Sequence, residues 1–208
     1  MMKYLFKGQS PARILMNYAF ASQTLNGRVV DIGGGHSPNY YEFFKQNKDV
    51  RIEVIDGSLT GIDFEKDVLP FEDASVDTVV LANVLEHLYR SDILLKEIQR
   101  ILSPNGKVIG FVPFWVGYHP DPHDYFRYTK EALSRMLQDA SFSEVVITSV
   151  GGSPFLANLN TIILSVPRVI RPIVAIPYLI LDTLFVSVRP RSRERNPLGY
   201  LFVASPHA

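Results

Sequence analysis

The sequence has no cysteine, and this absence excludes several kinds of chemistry. The 208-residue chain has no disulfide, no thiolate nucleophile, and no zinc or iron–sulfur site with cysteine ligands. It also lacks an excess of charge, because 21 Lys and Arg residues balance 21 Asp and Glu residues. This balance gives no general electrostatic reason to bind nucleic acid. We therefore expect a partner other than nucleic acid, and a cytoplasmic location fits the missing cysteines.

Long uninterrupted apolar runs are also missing. Met1 to Lys7 lacks the apolar run that is typical of a signal peptide. The segment from Phe155 to Val188 is strongly apolar, but prolines are expected to divide it before it reaches the roughly 20 residues of a spanning helix. Length and composition predict a single domain over 1–208, with an N-terminal helical cap (1–27) and an apolar insertion (154–198).

Apolar runs alternate with amphipathic segments along most of the chain. The runs are short and continuous, which is typical of strands buried in a parallel sheet. This alternation predicts an α/β fold in which helices cover both faces of a mostly parallel sheet. The predicted strands cover 28–32, 51–55, 77–82, 107–112, 143–150 and 200–204, and the predicted helices begin at 10, 38, 91 and 129. The helix that begins at 38 is expected to extend to about 46.

A glycine-rich turn follows the first of these strands. Asp31 stands just before Gly33-Gly34-Gly35. Glycines at this point allow the backbone to come close to a ligand at the carboxyl edge of a sheet. The dinucleotide pattern requires a further glycine where this sequence has Pro38, which argues against a nicotinamide enzyme. Taken alone, the stretch is also compatible with a tight turn that binds nothing.

Polar residues that suit a nucleoside follow the next strand. Asp56 ends the second strand, where an acid can accept hydrogen bonds from both hydroxyls of a ribose. Asp67 can accept a hydrogen bond from an adenine amino group, and Val68 can offer its backbone N–H to a ring nitrogen. We expect these groups to converge with the glycine turn on one slot.

Five motifs between about Val29 and Val112 follow one another in a fixed order. They are Asp31-Ile32-Gly33-Gly34-Gly35, Asp56, the stretch 67–77, Val84-Leu85-Glu86-His87-Leu88 and the stretch 100–106. In this order and spacing they resemble the small-molecule class I S-adenosylmethionine-dependent methyltransferases. The resemblance implies a Rossmann-like sheet of seven strands whose last strand is antiparallel, and S-adenosyl-L-methionine as the cofactor.

The resemblance also implies a role for each motif. The glycine turn would hold the amino-acid end of the cofactor, Asp56 its ribose, and Asp67 with Val68 its adenine. Asn83 and His87 would line the face at which the methyl group is transferred. The implied cofactor-binding residues are Asp31, Gly33, Gly34, Gly35, Asp56, Gly57, Asp67, Val68, Asn83 and His87.

The stretch from Trp115 to Thr129 follows a predicted strand and is expected at the ligand edge. A methyl acceptor must be placed in line with the sulfonium methyl, and a hydroxyl acceptor must also lose its proton. We predict His123 as the base, since the pKa of histidine lies near neutrality. Asp124 or His119 would orient this base or the acceptor, and Arg127 would pair with an anionic group.

A structural interpretation competes with this catalytic one. His123 and Asp124 can cap the helix that begins near Thr129, and Arg127 can bridge to Asp124. A metal site is not predicted, because the two histidines of this stretch lack the spacing of ligands on one helix.

The expected activity is methyl transfer to a small-molecule, sugar or lipid-linked acceptor, with oxygen as the favoured acceptor atom. Two alternatives are a nicotinamide or nucleotide-sugar oxidoreductase and a non-catalytic, membrane-associated scaffold that binds the cofactor. The insertion has three interpretations: a pocket cap, the interface of a homodimer, or contact with the inner face of a membrane through 155–190. Arg168, Arg171 and the basic stretch 189–195 would flank such a membrane element, and this interpretation ranks level with the other two.

Overall fold

A computed structural model describes residues 1–36 and 38–206 of the protein. Its strands are β1 (Thr24–Leu25), β2 (Arg28–Ile32), β3 (Lys45–Gln46), β4 (Arg51–Ile55), β5 (Val76–Ala82), β6 (Leu102–Pro113), β7 (Val146–Gly151) and β8 (Pro197–Ala204). The main sheet has the order β4-β2-β5-β6-β8-β7, and β8 is antiparallel to both of its neighbours. The other pairings are parallel. This confirms the Rossmann-like fold and the antiparallel last strand.

The sheet has six strands within the described residues, so the predicted number of seven is wrong. The chain between β4 and β5 follows the edge strand of the sheet, forms a short helix and turns, and adds no further strand. This segment contains Gly61 and Pro70 and is rich in acidic residues. Glycine, proline and acidic residues all disfavour strands, which explains why this segment adds no strand beside β4.

The helices of the described residues are α1 (Met2–Phe6), α2 (Pro11–Phe20), α3 (Gly57–Thr60), α4 (Ser91–Ile101), α5 (Lys130–Asp139), α6 (Pro154–Ile162), α7 (Arg171–Val188) and α8 (Ser192–Arg195). The predicted starts of α2, α4 and α5 are confirmed. Side-chain oxygens cap two of them: Ser10 accepts from the backbone N–H of Arg13, and Thr129 accepts from that of Ala132.

The prediction of a helix from Pro38 to about Gln46 is wrong. Tyr41–Phe43 forms a single turn of 3-10 helix, and Lys45–Gln46 pairs with β1. An aromatic ring of this segment packs against α2, since the ring of Phe44 stacks on that of Phe20 at 4.6 Å between centroids. These tertiary contacts outweigh a helix propensity that is weak for aromatic residues.

Apolar side chains cover both faces of the sheet, as predicted. On one face α4 and α5 bury Leu94, Ile98 and Leu133 against the strands. On the other face α2 buries Met16 and Phe20. A third cluster joins α1, α2, α6 and α7 through Leu5, Ile14, Leu156, Leu159 and Ala175. The first two clusters make the α/β layers, and the third attaches the insertion to the N-terminal helices.

The segment before β8 forms α6, α7 and α8, which confirms an apolar helical insertion. The expectation that prolines divide it is wrong for α7, which continues through Pro177. Proline destabilises a helix little in its first turn, where Pro172 lies. Asp182 anchors the helix, since its carboxylate accepts hydrogen bonds from the backbone N–H and from the Oγ of Ser153, each at 2.7 Å. By length and composition alone α7 could cross a membrane, and 17% of it is buried.

The topology places several segments at one edge of the sheet. The parallel strands β2, β4, β5, β6 and β7 all end there, and β8 begins there. The glycine turn, the chain after β6 and the insertion therefore all meet at the carboxyl edge, where open α/β sheets bind their ligands.

Candidate functional site

The glycine turn after β2 bends through backbone angles that favour glycine. Gly33 has φ +76° and Gly35 has φ +64°. At Gly34 a Cβ atom would come within 2.3 Å of the Asp31 carboxylate, whereas a Cβ at Gly35 would meet no atom of the described residues within 4 Å. The turn is thus closed on the side of Asp31 and open on the side of Gly35.

Asp31 is fully buried beneath this turn. Its Oδ2 atom accepts hydrogen bonds from the hydroxyls of Tyr40, at 2.6 Å, and Tyr41. Its Oδ1 atom is buried and has no hydrogen-bond partner among the described residues. Burial raises the pKa of this carboxyl to about 6, although the two tyrosine hydroxyls oppose that shift. The unpaired oxygen makes Asp31 a natural partner for a cationic group.

Asp56 joins the glycine turn to the next strand end. Its Oδ2 atom accepts from the backbone N–H of Gly35 at 3.1 Å. Its Oδ1 atom accepts from the backbone N–H of Ser58 at 3.0 Å and caps α3, in which Gly57 is the first residue. The structure therefore brings Asp56, Gly57 and the glycine turn together. Each carboxylate oxygen can accept more than one hydrogen bond, so this arrangement leaves capacity for ribose hydroxyls.

Asp67 and Val68 lie on the segment that follows α3. The Oδ2 atom of Asp67 accepts from the backbone N–H of Asp63 at 2.8 Å, and the side chain of Val68 is 71% exposed. The same segment approaches the carboxyl edge through Glu65, which accepts from the backbone N–H of Arg90. A contact of Asp67 and Val68 with adenine stays a prediction.

A cavity of about 190 Å³ lies beside the end of β5. Asn83 and His119 contribute to its wall, and α2 adds Arg13 and Met16. Asn83 has φ +57°, and its Nδ2 atom lies 3.4 Å from the sulfur of Met16. The roles of Arg13 and Met16 escaped the sequence analysis, because helical spacing identifies a buried face and not what that face covers. The cavity is smaller than the ~300–1,000 Å³ of ordinary ligand pockets.

Two further side chains, Glu86 and His87, meet His119 next to this cavity. Glu86 is fully buried, and neither of its carboxylate oxygens has a hydrogen-bond partner among the described residues. The Nε2 atoms of His87 and His119 each lie 3.7 Å from Glu86 Oε1. We call these three residues the Glu–His cluster. Glu86 appeared in the sequence only as part of a motif, and its meeting with His119 depends on the fold.

Asp124 and Arg127 hold the chain around His119. Asp124 forms two hydrogen bonds with the Arg127 guanidinium, at 2.5 and 2.8 Å, and accepts from the backbone N–H of His119 at 2.9 Å. Arg127 also donates to the carbonyls of Val116 and Gly117. The guanidinium lowers the pKa of Asp124 to about 2. These contacts fit the structural interpretation of Arg127 as a bridge to Asp124.

The structure separates His123 from these groups. Its imidazole packs against Tyr125 at 5.3 Å between centroids, and the residue is exposed. Its backbone carbonyl, and not its side chain, contacts the ring of His87. Of the predicted catalytic residues, His119, Asp124 and Arg127 are brought together, and the side chain of His123 lies apart from them.

Comparison with known proteins finds similarity to methyltransferases. A family model described as a methyltransferase domain matches residues 30–110. A protein of Mycobacterium tuberculosis, named as a probable S-adenosylmethionine-dependent methyltransferase, is 28% identical over 116 residues. That match covers 53% of this chain and 40% of the relative, so this chain spans less than half the length of the curated relatives it matches.

Solved structures share the fold. A phosphoethanolamine N-methyltransferase 2 of Haemonchus contortus, in complex with S-adenosyl-L-methionine, has a TM-score of 0.53 at 16% identity, over 95% of this chain and 52% of that chain. A SAM-dependent methyltransferase of Archaeoglobus fulgidus has a TM-score of 0.53 at 17% identity, over 93% and 90% of the two chains. At these identities the likeness concerns the fold alone.

Proposed function

We propose that this chain, which belongs to the class I S-adenosylmethionine-dependent methyltransferases, binds its cofactor at the glycine turn and transfers a methyl group to an acceptor beside His119. The observation that carries this proposal is the meeting of three neighbouring strand ends. Asp31 with its glycines follows β2, Asp56 follows β4, and Asn83 follows β5, all at the carboxyl edge of the sheet.

The groups at this edge fit the cofactor. The buried Oδ1 atom of Asp31 has no partner in the described residues, and the cofactor's ammonium group would supply one. Open space above Gly35 accommodates a ligand next to the backbone. Asp56 can accept further hydrogen bonds from the ribose hydroxyls. Asp67 and Val68, on the segment that follows α3, would contact the adenine. When bound, S-adenosylmethionine supplies an activated methyl group.

The acceptor would enter the cavity formed by Asn83, His119 and α2. A hydroxyl acceptor must lose its proton, and the Glu–His cluster is the group of proton acceptors beside this cavity. We assign this role to the cluster in place of His123, because the ring of His123 lies at the surface. Asp124 and Arg127 act as positioning residues for His119. This assignment favours oxygen as the atom that receives the methyl group.

We further propose that the acceptor is amphiphilic and that α7 contacts a membrane surface. Aliphatic side chains spaced three or four residues apart form an exposed stripe along this helix. The stripe consists of Ile173, Ile176, Ile180, Leu184 and Val188, and the exposed Val169 lies just before the helix. An exposed apolar face of this length on one helix calls for a partner.

Positive charge adjoins the end of this stripe. Arg189, Arg191 and Arg195 line a cleft of about 550 Å³ between the start of α6 and the end of α7. An apolar helix face beside arginines suits the boundary between anionic headgroups and acyl chains. A cytoplasmic protein with this surface would rest on the inner face of a membrane and take a lipid-linked acceptor from it.

The cofactor proposal is tested by titration calorimetry with S-adenosylhomocysteine and, separately, with NAD. We expect saturable binding of S-adenosylhomocysteine and none of NAD. The reverse result would show that the chain is a nicotinamide-binding protein. Binding of S-adenosylhomocysteine without any methyl transfer to lipid extracts, sugars or small alcohols would favour a cofactor-binding scaffold.

The membrane proposal is tested by sedimentation with vesicles of phosphatidylglycerol or of phosphatidylcholine. We expect binding to the anionic vesicles and loss of it in Ile176→Glu with Ile180→Glu. Val146→Glu is the matched control, because Val146 is a 61% exposed aliphatic residue on β7. Unchanged vesicle binding in the double variant would refute the proposal. Conversion of a dimer to a monomer by the same variant would identify the stripe as a homodimer interface.

A further inference from the structure

Glu86 has an unusual environment for a carboxylate. It lies in the 3-10 turn Leu85–His87 after β5, and its backbone carbonyl accepts from the N–H groups of Tyr125 and Phe126. Its side chain is fully buried, with both oxygens unpaired within the described residues. A buried carboxylate without a partner carries a large desolvation cost, so this position calls for a cation.

The two neighbouring imidazoles do not supply hydrogen bonds to Glu86 in their neutral form. The Nδ1 atom of His87 lies 2.5 Å from the carbonyl oxygen of His123, and the Nδ1 atom of His119 lies 2.8 Å from that of Gly117. A carbonyl only accepts, so each Nδ1 carries the hydrogen and each Nε2 presents a lone pair. Both lone pairs lie near the Glu86 carboxylate.

Arg127 offers a competing donor, since its Nη2 atom lies 3.2 Å from His119 Nδ1. That nitrogen carries two hydrogens, and its other contacts are to the carbonyl oxygen of Gly117 at 3.1 Å and to Asp124 Oδ2 at 2.8 Å. These two acceptors use both hydrogens, which leaves His119 Nδ1 to donate to Gly117.

The distances match ligands of a shared ion better than a direct hydrogen bond. A separation of 3.7 Å between nitrogen and carboxylate oxygen exceeds that of a hydrogen bond. All three candidate ligand atoms lie within 4.8 Å of one another. Ligands at ~2.0–2.1 Å from a tetrahedral Zn²⁺ stand roughly 3.3 Å apart, so a small contraction of the cluster would complete the site.

We propose that Glu86, His87 and His119 bind a divalent transition-metal ion, for which Zn²⁺ is the best chemical match, through one carboxylate oxygen and two Nε2 atoms. Two imidazoles and a carboxylate suit zinc, whereas Mg²⁺ and Ca²⁺ prefer oxygen ligands alone. The backbone carbonyls that fix both Nδ1 atoms act as the outer shell typical of histidine ligands.

The position of His119 connects this ion to the acceptor. Its side chain is 38% exposed and also lines the cavity beside Asn83, so a free coordination position would face that cavity. With the ion bound, the cluster would no longer accept the proton itself: the ion would lower the pKa of an acceptor hydroxyl, and the proton would pass to solvent. The acceptor oxygen would then bond to the methyl carbon as the bond from that carbon to the sulfonium sulfur breaks, and S-adenosylhomocysteine would leave. This catalytic use rests on the proposed function, whereas binding of the metal does not.

The inference is tested on the full chain after chelation and dialysis. Zn²⁺ is titrated by calorimetry, and Co²⁺ is followed by its visible absorption. We expect one ion per chain and a loss of affinity of about tenfold or more in Glu86→Gln, His87→Ala and His119→Asn. His123→Ala is the matched control, an exposed histidine from the same stretch, and should bind as the natural protein does.

Far-ultraviolet circular dichroism of each variant serves as the check of folding. Equal zinc binding by the natural protein and by His119→Asn, or no binding by either, would overturn the inference. His119→Asn keeps the test decisive if Glu86→Gln does not fold, because His119 is partly exposed. Zinc binding without binding of S-adenosylhomocysteine would refute the proposed function alone, and the reverse result would refute the metal site alone.

Discussion

The two halves of the sheet's carboxyl edge are built in different ways. In the cofactor half, each functional group directly follows its own strand, as Asp56 follows β4 and Asn83 follows β5. In the acceptor half, the groups come from distant segments: Asn160 of α6 accepts from the backbone N–H of Ala12 and donates to the carbonyl of Trp115. The first half depends on strand order, and the second depends on tertiary contacts.

This difference predicts different responses to substitution. Changes in the cofactor half should alter cofactor affinity and leave the fold intact. Changes in the acceptor half should alter acceptor chemistry or the attachment of the covering helices. Substitutions at His119, Asp56 and Asn160, each compared with a neighbouring control residue, separate the two halves.

The largest effect is expected for His119→Ala. It removes one imidazole of the Glu–His cluster, and loss of a group that assists proton removal typically costs about a hundredfold or more in rate. His123→Ala should change the rate by less than about threefold, because its ring lies at the surface. The measurement is transfer of labelled methyl from S-adenosylmethionine to extracted lipids. Equal losses in both variants would contradict the assignment.

Asp56→Ala should come next, with affinity for S-adenosylhomocysteine reduced by about tenfold to a hundredfold. The variant loses charged hydrogen bonds to the ribose and the contact with Gly35. Glu53→Ala on β4, the strand that precedes Asp56, is the control, since Glu53 forms an exposed ion pair with Arg28 that contributes little to stability. Calorimetry at neutral pH measures both. An Asp56→Ala variant with unchanged affinity would remove the ribose assignment.

Asn160→Ala should destabilise the acceptor half by about 1–3 kcal/mol in the free energy of unfolding. The buried amide ties α6 to α2 and to the chain after β6, and its loss leaves backbone groups unpaired. Asn158→Ala on the exposed side of α6 should cost about 0.5 kcal/mol or less. Urea unfolding of the two variants makes the comparison. Similar values for both would show that Asn160 does not hold the helices together.

The smallest effect is a pH dependence that arises from Asp31. Because its pKa is raised to about 6, the carboxylate is ionised above that pH and protonated below it. Affinity for the ammonium of S-adenosylhomocysteine should therefore fall about fourfold between about pH 7.5 and about pH 5.5. Tyr41→Phe should move the midpoint upward, since the Tyr41 hydroxyl lowers this pKa.

The same group affects stability with a defined sign. In the unliganded protein a raised pKa favours the protonated, folded state, so the stabilising contribution of Asp31 is fully present below its unfolded value. That contribution is lost as pH rises through about 6. Asp31→Asn should remove both the pH dependence of binding and this part of the stability profile. A pH dependence that persists in Asp31→Asn would assign it to another group.

The sequence predicted more of the cofactor half than of the acceptor half, and the reason is physical. Apolar runs that stop at Asp31, Asp56 or Asn83 mark the strand ends in the sequence. The order of the strands then places these residues at one edge of the sheet. The prediction of His123 as the base relied on the chemistry of histidine, whereas the base proposed from the structure includes His119, four residues earlier, which Asp124 and Arg127 hold through hydrogen bonds.

The failed predictions of local structure have similar causes. The helix expected after Pro38 gave way to the packing of Phe44 and to the hydrogen bonds of Tyr40 and Tyr41 with Asp31. The continuous α7 depends on Asp182, whose partner Ser153 lies 29 residues away. Such contacts leave no periodic trace in a single sequence, so the fold class was predictable and these details were not.

The most direct test of the central claim is a crystal structure of the protein with S-adenosylhomocysteine. We predict that the ligand's amino group contacts Asp31 beside the glycine turn, that its ribose contacts Asp56, and that its sulfur points toward Asn83. A ligand bound away from Asp31 and Asp56, or a carboxyl edge that stays closed to it at saturating concentration, would contradict the claim that these strand ends form one cofactor site.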